Sequence, residues 1–208
     1  MATLITPRTR FLHIPKTGGT WVTLALQVAG VPCQIVWTRL GPGSRGHATL
    51  EQTTAYSDRF TFAFVRHPLD LYRSRWAANT KDGWPMNRFL HDARSADFPG
   101  FVDRVIERHP GFAGRHFTEF TGSPQDEIAF VGRYETLVDD LVRALDEAGE
   151  NYDEAALRSY APANRSDYQR HAANYDLALA ERVVAAEQDA ILRWYYDDPL
   201  PERLLAGS

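Results

Sequence analysis

The run Phe11-Leu12-His13-Ile14-Pro15-Lys16-Thr17-Gly18-Gly19-Thr20-Trp21 constrains the fold of this chain more than any other stretch. It reads as a short apolar strand, a glycine turn and the hydroxyl-bearing start of a helix. Such a turn points successive N–H groups into one concavity, with the positive end of a helix dipole behind them. That arrangement holds a phosphate. Gly18 and Gly19 keep side chains out of the way of a close approach. Lys16 supplies a point charge, and Thr17 and Thr20 supply hydroxyls. A plain loop with a capped helix fits this run as well, so the rest of the chain has to decide.

At 208 residues, with 44% hydrophobic and 24% charged, the chain reads most simply as one globular domain with a sizeable core, or as a domain plus a small appendage. A net charge of −4 leaves no global basic field for nucleic acid, so any anion site is local. The single cysteine, Cys33, excludes an internal disulfide and a Cys-rich metal site, and suits a reducing compartment. His91, His109, His116 and His171 show no paired metal spacing, and no metal is expected. No apolar run approaches the ~20 residues of a membrane span, and the first residues lack the apolar core of a signal peptide. The expectation is a soluble, cytoplasmic protein.

Strand patterns fall at Phe11–Ile14, Gln34–Thr38, Phe60–Val65 and Ile128–Tyr134. Helical patterns fall at Thr20–Ala29, Ala48–Tyr56, Leu69–Asn79, Met86–Ala93, Phe98–Arg108, Glu135–Ala148, Glu154–Tyr160 and Leu177–Tyr196. Pro68 suits the first position of its helix, with His67 at the cap. His109-Pro110-Gly111 opens a stretch expected to be irregular as far as Gln125, and 161–170 reads as a polar loop. Strands alternating with helices predict an α/β fold of three layers, a mainly parallel central sheet with helices on both faces. Ligands of such sheets sit beyond the carboxyl ends of the strands, where the Lys16 loop and Arg66 both fall.

The nucleoside-triphosphate loop G-x-x-x-x-G-K-[ST] places lysine after its second glycine, whereas Lys16 precedes both glycines here. A kinase also needs a carboxylate for Mg²⁺ at a strand end, and the Phe60–Val65 strand ends in Arg66. Pro15–Trp21 instead resembles the 5′-phosphosulfate loop of sulfotransferases that use 3′-phosphoadenosine 5′-phosphosulfate (PAPS). Val65–Ser74 resembles their 3′-phosphate segment, where an arginine and a serine eight positions on share that phosphate; Arg66 and Ser74 keep the spacing. Arg133-Tyr134-Glu135 with its leucine-rich helix, and Asn164-Arg165-Ser166, resemble two further recurrent segments.

The resemblance implies a P-loop-like domain over 1–208, with a PAPS-binding core over about 9–150 and a helical part over about 151–198. It implies PAPS as sulfuryl donor, PAP as product, and Lys16, Thr17, Gly18, Gly19, Thr20, Trp21, Arg66, Ser74, Tyr134, Arg165 and Ser166 as cofactor-side residues. Trp21 matches the position that stacks on adenine, with a core tryptophan as the alternative. Lys16 would neutralise the leaving oxygen without a metal. Arg45-Gly46-His47 resembles the Gly-His stretch of uronosyl 2-O-sulfotransferases, which makes His47 the candidate general base, with Glu51 in reserve. The acceptor is then a carbohydrate or small-molecule hydroxyl. Trp37, Tyr72, Trp76 and Trp84 are open between an acceptor wall and core. A homodimer, a Mg²⁺-dependent small-molecule kinase and a non-catalytic nucleotide-binding module stay open.

Overall fold

A computed structural model describes residues 3–41, 44–86, 90–161 and 172–205. Contacts group the chain into two units, one of Met1–Arg66 with Phe117–Asn164 and one of His67–His116 with Arg165–Ser208.

The first unit is built on a five-stranded sheet of β1 (Thr3–Ile5), β2 (Thr9–Leu12), β3 (Gln34–Val36), β6 (Phe60–Val65) and β7 (Phe130–Arg133). The strand order is β3-β1-β2-β6-β7. Between β3 and β6 a small antiparallel ribbon joins β4 (Thr38–Gly41) to β5 (Ser44–Gly46). The main sheet is mixed rather than mainly parallel. The β2–β6 and β6–β7 pairs are parallel, while β1 runs antiparallel to both β2 and β3. The cause is β1, a strand hidden in the sequence. Only Thr6, Pro7 and Arg8 separate it from β2, and a parallel return needs a crossover of about a dozen residues. The turn is tied down by Thr6 N–H on the Thr9 carbonyl at 2.9 Å and by the buried Glu150 carboxylate, which takes the Thr6 hydroxyl and the Arg8 N–H.

In β6 the alternating residues Phe62 and Phe64 point to one face, in register with Phe11 of β2 and Phe130 of β7. That face forms one apolar cluster with Trp21, Val22, Ala25 and Leu26 of α1 (Gly19–Val28) and Leu141, Val142 and Leu145 of α5 (Leu137–Glu147). Leu157 of α6 (Glu154–Ser159) joins it. On the other face the buried Arg10 donates to Thr61 Oγ1 at 2.9 Å and to the Thr53 carbonyl at 2.6 Å. Thr53 lies in a 3-10 turn over Glu51–Tyr56, where a short helix is expected over Ala48–Tyr56.

The second unit holds α2 (Pro68–Lys81), α3 (Phe98–Arg108), the start of α4 (Phe112–Thr121), α7 (Leu177–Ala186) and α8 (Gln188–Trp194). His67 caps α2 as expected, its Nδ1 accepting the Leu69 N–H at 3.3 Å ahead of Pro68. Tyr72, Trp76, Trp84, Phe98 and Phe101 are buried and in ring contact with one another; these tryptophans and Tyr72 are core.

Two elements here depart from the sequence pattern, and one side chain explains both. The buried Glu187 interrupts the helix expected to run from Leu177 to Tyr196. Its carboxylate accepts from Tyr72 Oη at 2.7 Å, from Ala113 N–H at 2.9 Å and from Gly114 N–H at 3.3 Å. The last two are first-turn amides of α4, the helix that forms where an irregular stretch is expected. An acceptor at an orphaned helix start gives its amides the partners that the local sequence lacks. Among the described residues no helix is long and apolar enough to cross a membrane.

Candidate functional site

Three neighbouring parallel strands deliver the candidate residues of the first unit. After β2 the chain enters the loop His13–Gly18 and then α1; β6 ends at Arg66, and β7 leads into Tyr134. The carboxyl ends of adjacent parallel strands thus carry the lysine loop, the arginine and the tyrosine.

Arg66 ties these ends together. It is 5% exposed, and its Nη1 donates to the Lys16 carbonyl at 3.1 Å. Its guanidinium carbon lies 3.9 Å over the centre of the Tyr134 ring, a cation–π stack. Lys16 has φ 75°, a left-handed conformation that is uncommon for a residue with a side chain. Thr17 is fully buried and donates its hydroxyl to the Ile14 carbonyl at 2.9 Å, closing the loop on itself.

The two glycines are required by the protein's own packing. Gly18 caps α1 at φ 86°, and a Cβ there would stand 2.7 Å from Leu137 Cδ2 and 3.1 Å from the Tyr134 ring. A Cβ on Gly19 would stand 2.0 Å from Cδ2 and 2.2 Å from Nε2 of His13. No side chain caps the start of α1, and its first turn holds no acidic residue. The positive end of this helix is therefore not neutralised by its own first turn, which favours an anion there.

His47 joins this loop from the segment before β6. Its Nδ1 lies 2.8 Å from the His13 carbonyl, and the two rings meet edge to face at 4.7 Å and 86°. A carbonyl only accepts, so Nδ1 carries a proton; in the neutral imidazole the lone pair is then on Nε2, the form a general base needs. Burial, and then the proximity of His47, hold the His13 imidazole well below the usual histidine range. Glu51 is exposed at the head of the 3-10 turn.

The remaining candidates are placed less directly. Trp21 is 4% exposed within the apolar cluster, with its indole N–H 3.4 Å from the Tyr160 carbonyl, which is the core alternative for this residue. Ser74 is buried on α2 of the second unit. Arg165 and Ser166 lie outside the described residues. Among the described residues no group of three or more His, Cys, Asp or Glu is placed to hold a metal ion. Two features are hidden from motif reading: His13 as the neighbour of both Gly19 and His47, and the Arg66–Tyr134 stack. Phe11 and His13 share one face of an extended chain, a spacing from which the inward turn of His13 could have been read.

Comparison with models of protein families and with curated proteins finds no match for this chain.

Proposed function

We propose that this protein is a PAPS-dependent sulfotransferase with the P-loop-type fold of that family, transferring a sulfuryl group to an acceptor hydroxyl and releasing PAP. The observation that carries this reading is the convergence of the Lys16 loop, Arg66 and Tyr134 on adjacent parallel strand ends, joined by the Arg66–Lys16 hydrogen bond.

The residues present suit a nucleotide with two phosphoryl positions. The start of α1, with no acidic residue and no side-chain cap, suits the 5′-phosphate. Arg66 suits the 3′-phosphate, because a guanidinium already anchored on Tyr134 and Lys16 loses little freedom when it binds an anion. Trp21, set in the core, is given no part in binding. PAPS supplies an activated sulfur whose bond to the bridging phosphate oxygen breaks as the acceptor oxygen attacks. Lys16 neutralises the charge that develops on that bridging oxygen. His47 Nε2 accepts the acceptor's proton, while Nδ1–H stays on the His13 carbonyl. A carbohydrate hydroxyl is the first choice of acceptor, from the Gly-His segment around His47.

Calorimetry with PAP against ATP–Mg²⁺ separates this reading from a kinase: PAP is expected to bind, and binding of ATP–Mg²⁺ alone refutes it. With PAPS and a panel of carbohydrate and phenolic acceptors, Lys16→Ala should lower kcat roughly 10²–10³-fold. His47→Ala should lower kcat roughly 10²–10⁴-fold with PAP affinity unchanged. PAP binding without turnover on any acceptor would indicate a non-catalytic nucleotide-binding module.

A further inference from the structure

The strained turn of the anion loop is clamped from two neighbouring strands. Lys16 holds φ 75°, a conformation that persists in a residue with a side chain only where its surroundings enforce it. Arg66, just after β6, donates Nη1–H to the Lys16 carbonyl at 3.1 Å. Tyr134, just after β7, packs on Gly18: Cδ2 and Cε2 of its ring would stand 3.1 and 3.3 Å from a Cβ there. The two clamps also hold each other, because the Arg66 guanidinium carbon lies 3.9 Å over the Tyr134 ring. One stacked pair thus grips the turn at Lys16 and again at Gly18. A guanidinium carries five N–H donors in a single plane, so one group can hold a carbonyl and a phosphate together.

We propose that Arg66 and Tyr134 are positioning residues for Lys16, through which a phosphate on Arg66 is felt at the leaving group. The phosphate fixes the guanidinium, with Tyr134 behind it, and the guanidinium fixes the Lys16 carbonyl and so the backbone that carries the ammonium. Tyr134 then acts on the turn and on Arg66 rather than on the nucleotide. The donor selected is a nucleotide bearing a 3′-phosphate, and the selection acts on kcat as well as on affinity. Binding energy from a remote group of the donor is used to place the catalytic one, so a truncated donor loses rate and not affinity alone. The proposal rests on the nucleotide site described above. A merely structural role for Tyr134 predicts lost stability with no difference between donors.

Two measurements on the full chain test this. In ¹H–¹⁵N spectra the Thr17 amide reports on the loop, because it shares a peptide plane with the Lys16 carbonyl. Saturated with PAP, or with adenosine 5′-monophosphate, which lacks the 3′-phosphate, the wild type should show two different Thr17 positions. In Tyr134→Leu, which removes the ring face, the two should coincide; in Tyr134→Phe, which keeps it, they should stay apart. In steady-state kinetics at saturating donor, adenosine 5′-phosphosulfate should turn over roughly ten-fold more slowly than PAPS in the wild type. Tyr134→Leu should lower kcat with PAPS roughly ten-fold and bring the two donors together. Coincident Thr17 positions in the wild type, an unchanged donor ratio in Tyr134→Leu, or a donor effect confined to KM overturns the proposal. So does failure of PAP to bind. Failure of the sulfotransferase reading looks different: the two nucleotides separate at Thr17 as expected, but neither donor yields a sulfated product.

Discussion

Gly19→Ala adds one methyl group at the most crowded point of the loop. The new Cβ would stand 2.0, 2.2 and 2.4 Å from three atoms of the His13 ring. Relaxed contacts between such atoms lie at about 3.5–4.0 Å, so ring or loop must shift by roughly 1.5 Å. The ring has little room to move, because Phe11 stacks on it at 5.9 Å and His47 abuts it at 4.7 Å. Overpacking of this kind costs about 1–3 kcal/mol, and a shift blocked on two sides belongs at the upper end. Alanine returns up to about 1 kcal/mol of helix propensity, so the net loss is about 2 kcal/mol. Urea unfolding followed by tryptophan fluorescence measures it. Combining Gly19→Ala with His13→Ala should recover part of the loss, because the methyl group then enters the space the imidazole leaves. The coupling between the two sites should be at least about 1 kcal/mol. A Gly19→Ala protein within about 0.5 kcal/mol of wild type, or strict additivity of the two changes, would show that His13 is not what excludes a side chain at 19.

Arg66→Ala removes both the hold on the Lys16 carbonyl and the stack on Tyr134, and should weaken PAP binding roughly 100-fold by calorimetry. Arg66→Lys, which keeps the charge but loses the planar fork, should recover less than half of that in free energy; full recovery would reduce Arg66 to a point charge. Burial raises the Glu187 carboxyl above its ordinary value, with its hydrogen bonds to Tyr72, Ala113 and Gly114 opposing. A raised folded value means that the folded state holds the proton more tightly. The stability this contributes is fully present below the ordinary glutamate range and is lost as pH rises through the raised value. Glu187→Gln should flatten that decline in urea midpoints measured across pH. Glu187→Ala leaves the Tyr72 hydroxyl and two α4 amides without their acceptor, and should cost about 1–3 kcal/mol.

The parts of the fold legible in the sequence are those that local chemistry determines. The alternation of Phe60, Phe62 and Phe64 and the proline at the head of α2 place β6 and α2 to within two residues. The amphipathic pattern does the same for α3 and α5. β1 is too short for a period to show, although it sets the mixed sense of the sheet. The start of α4 and the break between α7 and α8 depend on one buried carboxylate with partners far away in sequence, Tyr72 among them. No local window contains that pairing. The site divides in the same way. The glycine turn and the strand-end arginine are visible as motifs, but the hydrogen bond between them exists only because β2 and β6 are neighbours in the sheet. The two glycines look like clearance for a ligand, and the structure fills that space with His13, Tyr134 and Leu137.

The left-handed backbone at Lys16 sets folding and chemistry against each other. A side chain in that conformation costs about 1–2 kcal/mol that glycine would not incur. The strained residue is also the one assigned to the leaving group, and its own carbonyl is the point Arg66 holds. Selection for thermal stability alone would favour glycine at position 16 and discard the ammonium group in doing so. If Lys16 serves the leaving group as proposed, glycine at this position would gain stability and lose turnover, so a stabilised version of this protein should be sought outside its first loop.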